Sequence, residues 1–203
     1  MSSLEELWGK VVKAAEIVEK GGVIIYPTDT VYGIGCNPFN ARAVERVYGL
    51  KKRENKPSPV LVSDLNQLRQ VADPKPAELR AALLLWPGPV TIVMARKPSL
   101  PESVTFGKPT VGVRMPSDAV TLAIMQLSGL PLLGTSANLS GHPPARSPSE
   151  LDPELVKGVD IVVECGRTLY GRPSTVIEVA EEGVRVVREG ALSEYEVKLR
   201  LNR

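Results

Sequence analysis

The chain has 203 residues, 43% of them hydrophobic, with 25 Lys and Arg against 23 Asp and Glu. That is enough chain to bury a substantial core in one large domain, and its near-balanced charge excludes a broad field for nucleic acid or membrane; an anion site must come from locally gathered charges. A single histidine, His142, and two well-separated cysteines, Cys36 and Cys165, argue against a zinc site and against the cysteine-dense frameworks of secreted domains, although a Cys36–Cys165 disulfide stays open on sequence alone. No basic-then-apolar leader and no apolar run of bilayer length is visible, so a cytoplasmic protein is expected.

In chain order, Ser3 with Glu6 has capping-box spacing, and Leu4, Leu7, Val11, Ala14, Ala15 and Val18 follow at helical period until Gly21 and Gly22. Val23 to Tyr26 reads as a buried strand, Ala41 to Leu50 as a helix capped by Asn40, and Pro59 to Ser63 as another strand. Asp64 caps a short helix, Ala77 to Trp86 is a further one, and "WPGPVTIVM" turns back into a strand. The segment "TVGVRMP" predicts a strand entering a helix that is capped by Ser117 and runs to about Gly129. "LPLLGTSAN" is a strand ending in a polar loop, and "DIVVECG" a short strand. "STVIEVAEEGVRVVREG" is a hairpin turning at Gly183, before a last helix from Ser193. Strands alternating with helices, with a late hairpin, predict an α/β fold with a mixed sheet.

Three strand ends carry more polarity than a turn needs: Thr28, Asp29 and Thr30 after "VIIYP", Thr135, Ser136 and Asn138 after "PLLG", and Ser174 and Thr175 before the hairpin. Singly, such residues cap helices and make turns; together, at the carboxyl ends of strands, they suggest a ligand crevice. Lys51, Lys52, Arg53 and Lys56 crowd one loop that Pro57 and Pro59 stiffen, although lysines after a helix also answer its dipole. Arg114 ends an apolar strand, where a charge is costly unless it meets a partner or a ligand anion, and Arg188 ends the hairpin in the same way. No Walker loop, dinucleotide fingerprint or hydrolase elbow is present. Cys36 reads as a packed thiol and His142 as a loop residue, so the residues describe an anion-rich small-molecule site without a strong nucleophile.

Taken in order, "YPTDTVYGIGCN", "KKRENKP", "LWPGPVTIV", "VGVRMP", "TSANLSGHPP" and "STVIEV…VVREGAL" resemble the threonylcarbamoyl-AMP synthases, the YrdC-like family, from about Gly21 to Leu192. The resemblance implies a single catalytic domain over 1–203, an α/β fold whose twisted mixed sheet is flanked by helices around a basic cavity. It implies an L-threonylcarbamoyladenylate synthase, a nucleotidyltransferase forming threonylcarbamoyl-AMP and pyrophosphate from L-threonine, bicarbonate and ATP, with Mg2+ accompanying the ATP. The product would pass to a downstream t6A transferase complex that modifies tRNA. By the same resemblance Thr30, Arg114, Ser136 and Ser174 would hold L-threonine. Lys51, Arg53, Lys56, Thr110, Asn138, Ser147 and Arg188 would face ATP, with Arg146 the alternative to Ser147. The "RENKPSP" loop is one residue shorter than commoner versions, which bears on Lys56, and "GRPSTV" lacks an acid that many members carry before the serine. Two other readings compete: an RNA-binding module of the same fold, with weak RNA affinity, and a carbamoyl-transfer domain of hydrogenase maturation. Near-neutral charge and sparse aromatics weigh against the first, and the lack of Cys-x-x-Cys against the second. No membrane partner is implied.

Overall fold

A computed structural model describes residues 3–52, 56–181 and 183–202. Helix α1 (Ser3–Glu19) turns Val11, Ala14, Ala15 and Val18 inward at helical spacing. Ser3, expected as its cap, is instead a helical residue, and the chain leaves the helix through Gly21 at φ 81°. Strand β1 (Ile24–Tyr26) pairs antiparallel with β2 (Gly33–Gly35) and parallel with β9 (Ile161–Val162), and β8 (Thr135–Ser136) completes a four-stranded sheet in the order β8-β2-β1-β9. The glycine pair after "TDTVY" is therefore a strand rather than a turn. A Cβ on Gly35 would stand 1.8 Å from the Leu133 carbonyl oxygen, so only glycine allows the close crossing there.

A second, seven-stranded sheet runs β11-β10-β5-β6-β3-β7, with β4 (Ala72–Asp73) on β5. Its members are β3 (Val60–Leu61), β5 (Val90–Arg96), β6 (Thr110–Arg114), β7 (Leu132–Leu133), β10 (Thr175–Ala180) and β11 (Gly183–Arg188). Pairing is parallel for β10 with β5 and β3 with β6, antiparallel for β5 with β6 and β10 with β11. The expected mixed sheet is thus present but divided in two, and the chain steps from one sheet to the other at Gly134, between β7 and β8.

Strand alternation decides what each face does. Along β5, Val90, Ile92 and Met94 enter the larger core with Val111, Val113 and Ile177. Helices α2 (Ala41–Leu50), α3 (Leu65–Val71), α4 (Pro76–Leu85) and α8 (Glu194–Leu201), with the short α5 (Glu102–Thr105) and α7 (Pro153–Gly158), cover this side. Each such side chain contributes about 1.5–3 kcal/mol by leaving water. A smaller core joins Val11, Ala14 and Val18 to Ile124 and Met125 of α6 (Ala119–Ser128) and to Ile24, Tyr26 and Leu132. The alternate residues of β5, Thr91 and Val93, face the other way, into a cavity.

Caps follow their side chains. Asn40 accepts from the Ala43 N–H at 3.2 Å, and Asp64 from Asn66 and Gln67 at 2.7 and 2.9 Å, both as expected. Ser193 and Glu196 form a reciprocal box at the start of α8. Helix α6 corrects the sequence reading: its cap is Asp118, whose carboxylate accepts from the Thr121 N–H at 2.8 Å. Ser117 points elsewhere, donating to Asp29 at 3.0 Å. Both Cys36, buried, and Cys165, exposed, are free thiols, which closes the disulfide question.

Candidate active site

A cavity of about 380 Å³ lies between the two sheets. The small sheet and its loops supply Tyr26, Thr28, Thr30, Tyr32 and Ser136. The face of the large sheet supplies Thr91, Val93, Thr110, Arg114, Val176 and Glu178, with Ser174 and Arg188 at the hairpin. Strand ends alone do not build it; half of its floor is sheet face. Gly112 keeps that floor low, since a Cβ there would stand 2.9 Å from Thr91 Cγ2. The cationic wall residues are Lys108, Arg114 and Arg188, and the acid among them is Glu178, cross-strand from Arg185 and ion-paired to it.

All four residues expected at the amino acid, Thr30, Arg114, Ser136 and Ser174, line this one cavity although they come from distant parts of the chain. Thr30 and Arg114 are 2% and 5% exposed and belong to one network. The Thr28 hydroxyl donates to the Val31 carbonyl at 2.7 Å and accepts from the Thr30 and Val31 N–H groups at 3.1 and 3.2 Å, so in its 2.9 Å contact with the Thr30 hydroxyl Thr30 is the donor. Thr30 Oγ1 in turn accepts from Arg114 Nη1 at 2.8 Å. With its proton and one lone pair engaged, Thr30 can offer the cavity only an acceptor, which suits an amine. Ser136 is likewise turned into an acceptor, because its hydroxyl donates to Asn138 Oδ1. Ser174 Oγ shares a hydrogen bond of 2.8 Å with Thr91, a cavity residue that the sequence reading passed over.

Arg114 Nε donates to the Gly88 carbonyl at 3.0 Å, and Nη2 is ion-paired with Asp29. Burial lowers its pKa and Asp29 opposes that shift; an arginine beside a carboxylate stays charged. Burial also raises the pKa of the Tyr26 phenol, whose hydroxyl donates to the Leu133 carbonyl at 3.1 Å, and pushes the Cys36 thiol up to about 12. Neither is a nucleophile at neutral pH.

The residues expected at ATP divide. Thr110 and Arg188 line the cavity. Arg188 donates to the Ser174 carbonyl at 2.8 Å, and desolvation lowers its pKa. Lys56 is exposed next to Pro57, a wall residue, and Arg53 lies outside the described residues. Lys51, Asn138 and Ser147 stand behind or beside the wall. Lys51 is 2% exposed, and its ammonium donates to the Ser136 carbonyl and, at 2.7 Å, to that of Asn138. Asn138 Nδ2 bonds the Leu139 and His142 carbonyls at 2.9 and 2.7 Å. Both residues brace the turn that presents Ser136. Ser147 Oγ is 3.0 Å from Ser149 Oγ, and the alternative residue, Arg146, is engaged with Glu150 at 3.1 Å. His142 is exposed, as expected of a loop residue.

Comparison with known proteins gives this geometry a context. The Sua5/YciO/YrdC family model, described as "Telomere recombination", matches residues 16–190. A Methanocaldococcus jannaschii protein is 36% identical over 185 residues, covering 89% of this chain and 87% of its own. The Bacillus subtilis threonylcarbamoyl-AMP synthase is 33% identical over 192 residues, and the chain spans 93% of itself but only 56% of that protein. The structure of P. abyssi Sua5 complexed with L-threonine superposes with a TM-score of 0.87 at 32% identity, over 96% of this chain and 57% of that one. A match over most of the length, with a shared fold and relatives above 30% identity, leads to one conclusion: the chain belongs to the Sua5/YciO/YrdC family.

Proposed function

We propose that the chain is an L-threonylcarbamoyladenylate synthase, making threonylcarbamoyl-AMP and pyrophosphate from L-threonine, bicarbonate and ATP. The observation that carries this reading is the convergence of Thr30, Arg114, Ser136 and Ser174 on one cavity, in a fold shared with a protein crystallised with L-threonine. Arg114 offers guanidinium N–H groups to a carboxylate, while Thr30 and Ser136 offer lone pairs to the amine or the side-chain hydroxyl.

The chemistry asks for no protein nucleophile, and none is built into the wall. A neutral amine takes up bicarbonate as a carbamate with loss of water; the carbamate oxygen attacks the α-phosphorus, and pyrophosphate leaves with its bonding electrons. Holding the labile carbamate beside the phosphate in attack geometry supplies on the order of 7–11 kcal/mol of the barrier. Lys108, Thr110 and Arg188, which line the same cavity, are suited to the phosphates, where cationic donors stabilise charge that develops in the displacement. Lys56 and Arg53 belong with them in this reading, while Lys51, Asn138 and Ser147 serve the nucleotide by shaping the loops that approach it. Among the described residues no cluster of three or more His, Cys, Asp or Glu could cage a metal. Mg2+ would be carried by the triphosphate oxygens and neutralise their charge; among the described lining residues Glu178, ion-paired to Arg185, is the carboxylate.

Pyrophosphate release from ATP and bicarbonate, with and without L-threonine, tests the proposal. Release that depends on threonine is expected; equal release in both conditions rejects threonine as substrate, and none in either rejects the synthase. The product's transfer to a t6A-forming complex and a cytoplasmic setting belong to the same proposal; no helix among the described residues is long and apolar enough to cross a membrane.

A further inference from the structure

Asp29 is absent from the cavity wall and takes no part in the chemistry above, yet it is only 4% exposed. Its Oδ1 takes Arg114 Nη2, its Oδ2 takes the Ser117 hydroxyl at 3.0 Å, and its carbonyl takes the Tyr170 N–H at 2.9 Å. A buried ion pair adds little net stability compared with apolar side chains in its place, so its retention beside a ligand cavity calls for another role.

Arg114 has five N–H groups. Three are engaged, by the Gly88 carbonyl, Thr30 Oγ1 and Asp29 Oδ1. One N–H is left on each Nη. The three anchors come from two separate segments, the Asp29–Thr30 loop and Gly88, and fix the guanidinium plane before any ligand arrives. They also fix its charge, because Arg114 is already compensated by Asp29. A lone carboxylate placed on Arg114 would leave the Arg114–Asp29 corner of the cavity with one net negative charge; a carboxylate that brings its own ammonium would not.

We propose that Asp29, steadied by Ser117, is a positioning residue that sets Arg114 as a two-donor fork for an amino-acid carboxylate and biases the pocket toward zwitterions over simple carboxylates. This rests on the reading of Arg114 as the carboxylate ligand.

The test is calorimetric binding of L-threonine and of 3-hydroxybutyrate, which keeps the carboxylate and hydroxyl but lacks the amine, to the wild-type chain and to Asp29→Asn, Ser117→Ala and Arg114→Lys. Asp29→Asn should weaken threonine about tenfold or more and narrow the preference for threonine over 3-hydroxybutyrate by a similar factor. A purely structural role would weaken both ligands equally and leave that ratio alone. Ser117→Ala, at an exposed position, should fold and weaken threonine by about two- to fivefold. Unchanged threonine affinity and ratio in folded Asp29→Asn overturns the positioning role; if that variant does not fold, unchanged threonine affinity in Ser117→Ala does so. A wild-type chain that binds no threonine, or an Arg114→Lys chain that binds it fully, overturns the reading of Arg114 itself, and the proposal with it.

Discussion

On the side of the cavity under the small sheet, Thr28, Asp29, Thr30 and Arg114 are at most 5% exposed, and each side chain has protein partners. On the rest of its wall, Lys108, Thr110 and Arg188 are exposed. There Arg188 makes a single side-chain bond, and Lys108 and Thr110 make none among the described residues. The first side is held in place and electrically balanced before a ligand enters; the second offers cations with no ion-pair partner among the described residues, Lys108 in water and Arg188 partly desolvated. A small zwitterion is suited to the first and a polyanion to the second, because fixed neutral shape selects while exposed charge attracts.

The most severe way to break this contrast is Arg114→Ala. It strands the Asp29 carboxylate in the core, and about 3–5 kcal/mol of stability should go with it, together with threonine-dependent pyrophosphate release. Urea melts paired with the release assay check both, and the double change Arg114→Met with Asp29→Leu should recover stability while turnover stays lost. Next in size is alkali. Burial holds the Cys36 thiol at about 12 against its ordinary 9.0, so the folded state keeps a proton that the unfolded chain releases. That stability is complete below pH 9, and it falls as pH rises from there toward 12, by at most ~4 kcal/mol. Cys36→Ala should flatten the decline in melts taken across that range; an unchanged slope would mean the packed side is looser than its burial indicates. On the exposed side, Arg188→Ala should raise the KM for ATP about 10- to 100-fold with little change in the melting temperature. A large loss of stability there would erase the difference between the two sides. The smallest effect belongs to Thr91→Val, which removes the hydroxyl partner of Ser174 at nearly constant shape. It should cost about 1 kcal/mol in threonine binding and leave ATP unaffected.

Much of this arrangement was legible in the residues, and the exceptions share a cause. Alternation in "VTIVM" revealed the strand, and the same alternation would have exposed Thr91 as the residue turned away from Val90 and Ile92. The surplus polarity of "TDT" marked one side of the cavity, because three adjacent small polar groups exceed what a turn requires; Thr28 and Thr30 line it and Asp29 lies outside the lining. The partner of Asp29 could not be found that way: Arg114 lies 85 residues further along the chain, and only the packing of the two sheets brings them together. The same holds for Lys51, one of several crowded loop cations in the sequence, which the fold buries as a strut beneath Ser136 and Asn138. Helix capping was read correctly at Asn40 and at Asp64, where Ser63 stands next to the cap. It failed at Ser117–Asp118, where the Ser117 hydroxyl is taken by Asp29, a residue distant in sequence, and Asp118 caps instead.

The parallel pairing of β10 with β5 brings together segments about 85 residues apart, Thr175 beside Val90 and Glu178 beside Val93. While a ribosome is still making the protein, β5 has only β4 at its far end on that flank and presents a bare row of N–H and C=O groups from Val90 to Val93. Ser174 and Arg188 arrive with the strand that covers it, so the emerging polypeptide acquires its grip on substrates in the same event that seals its stickiest border.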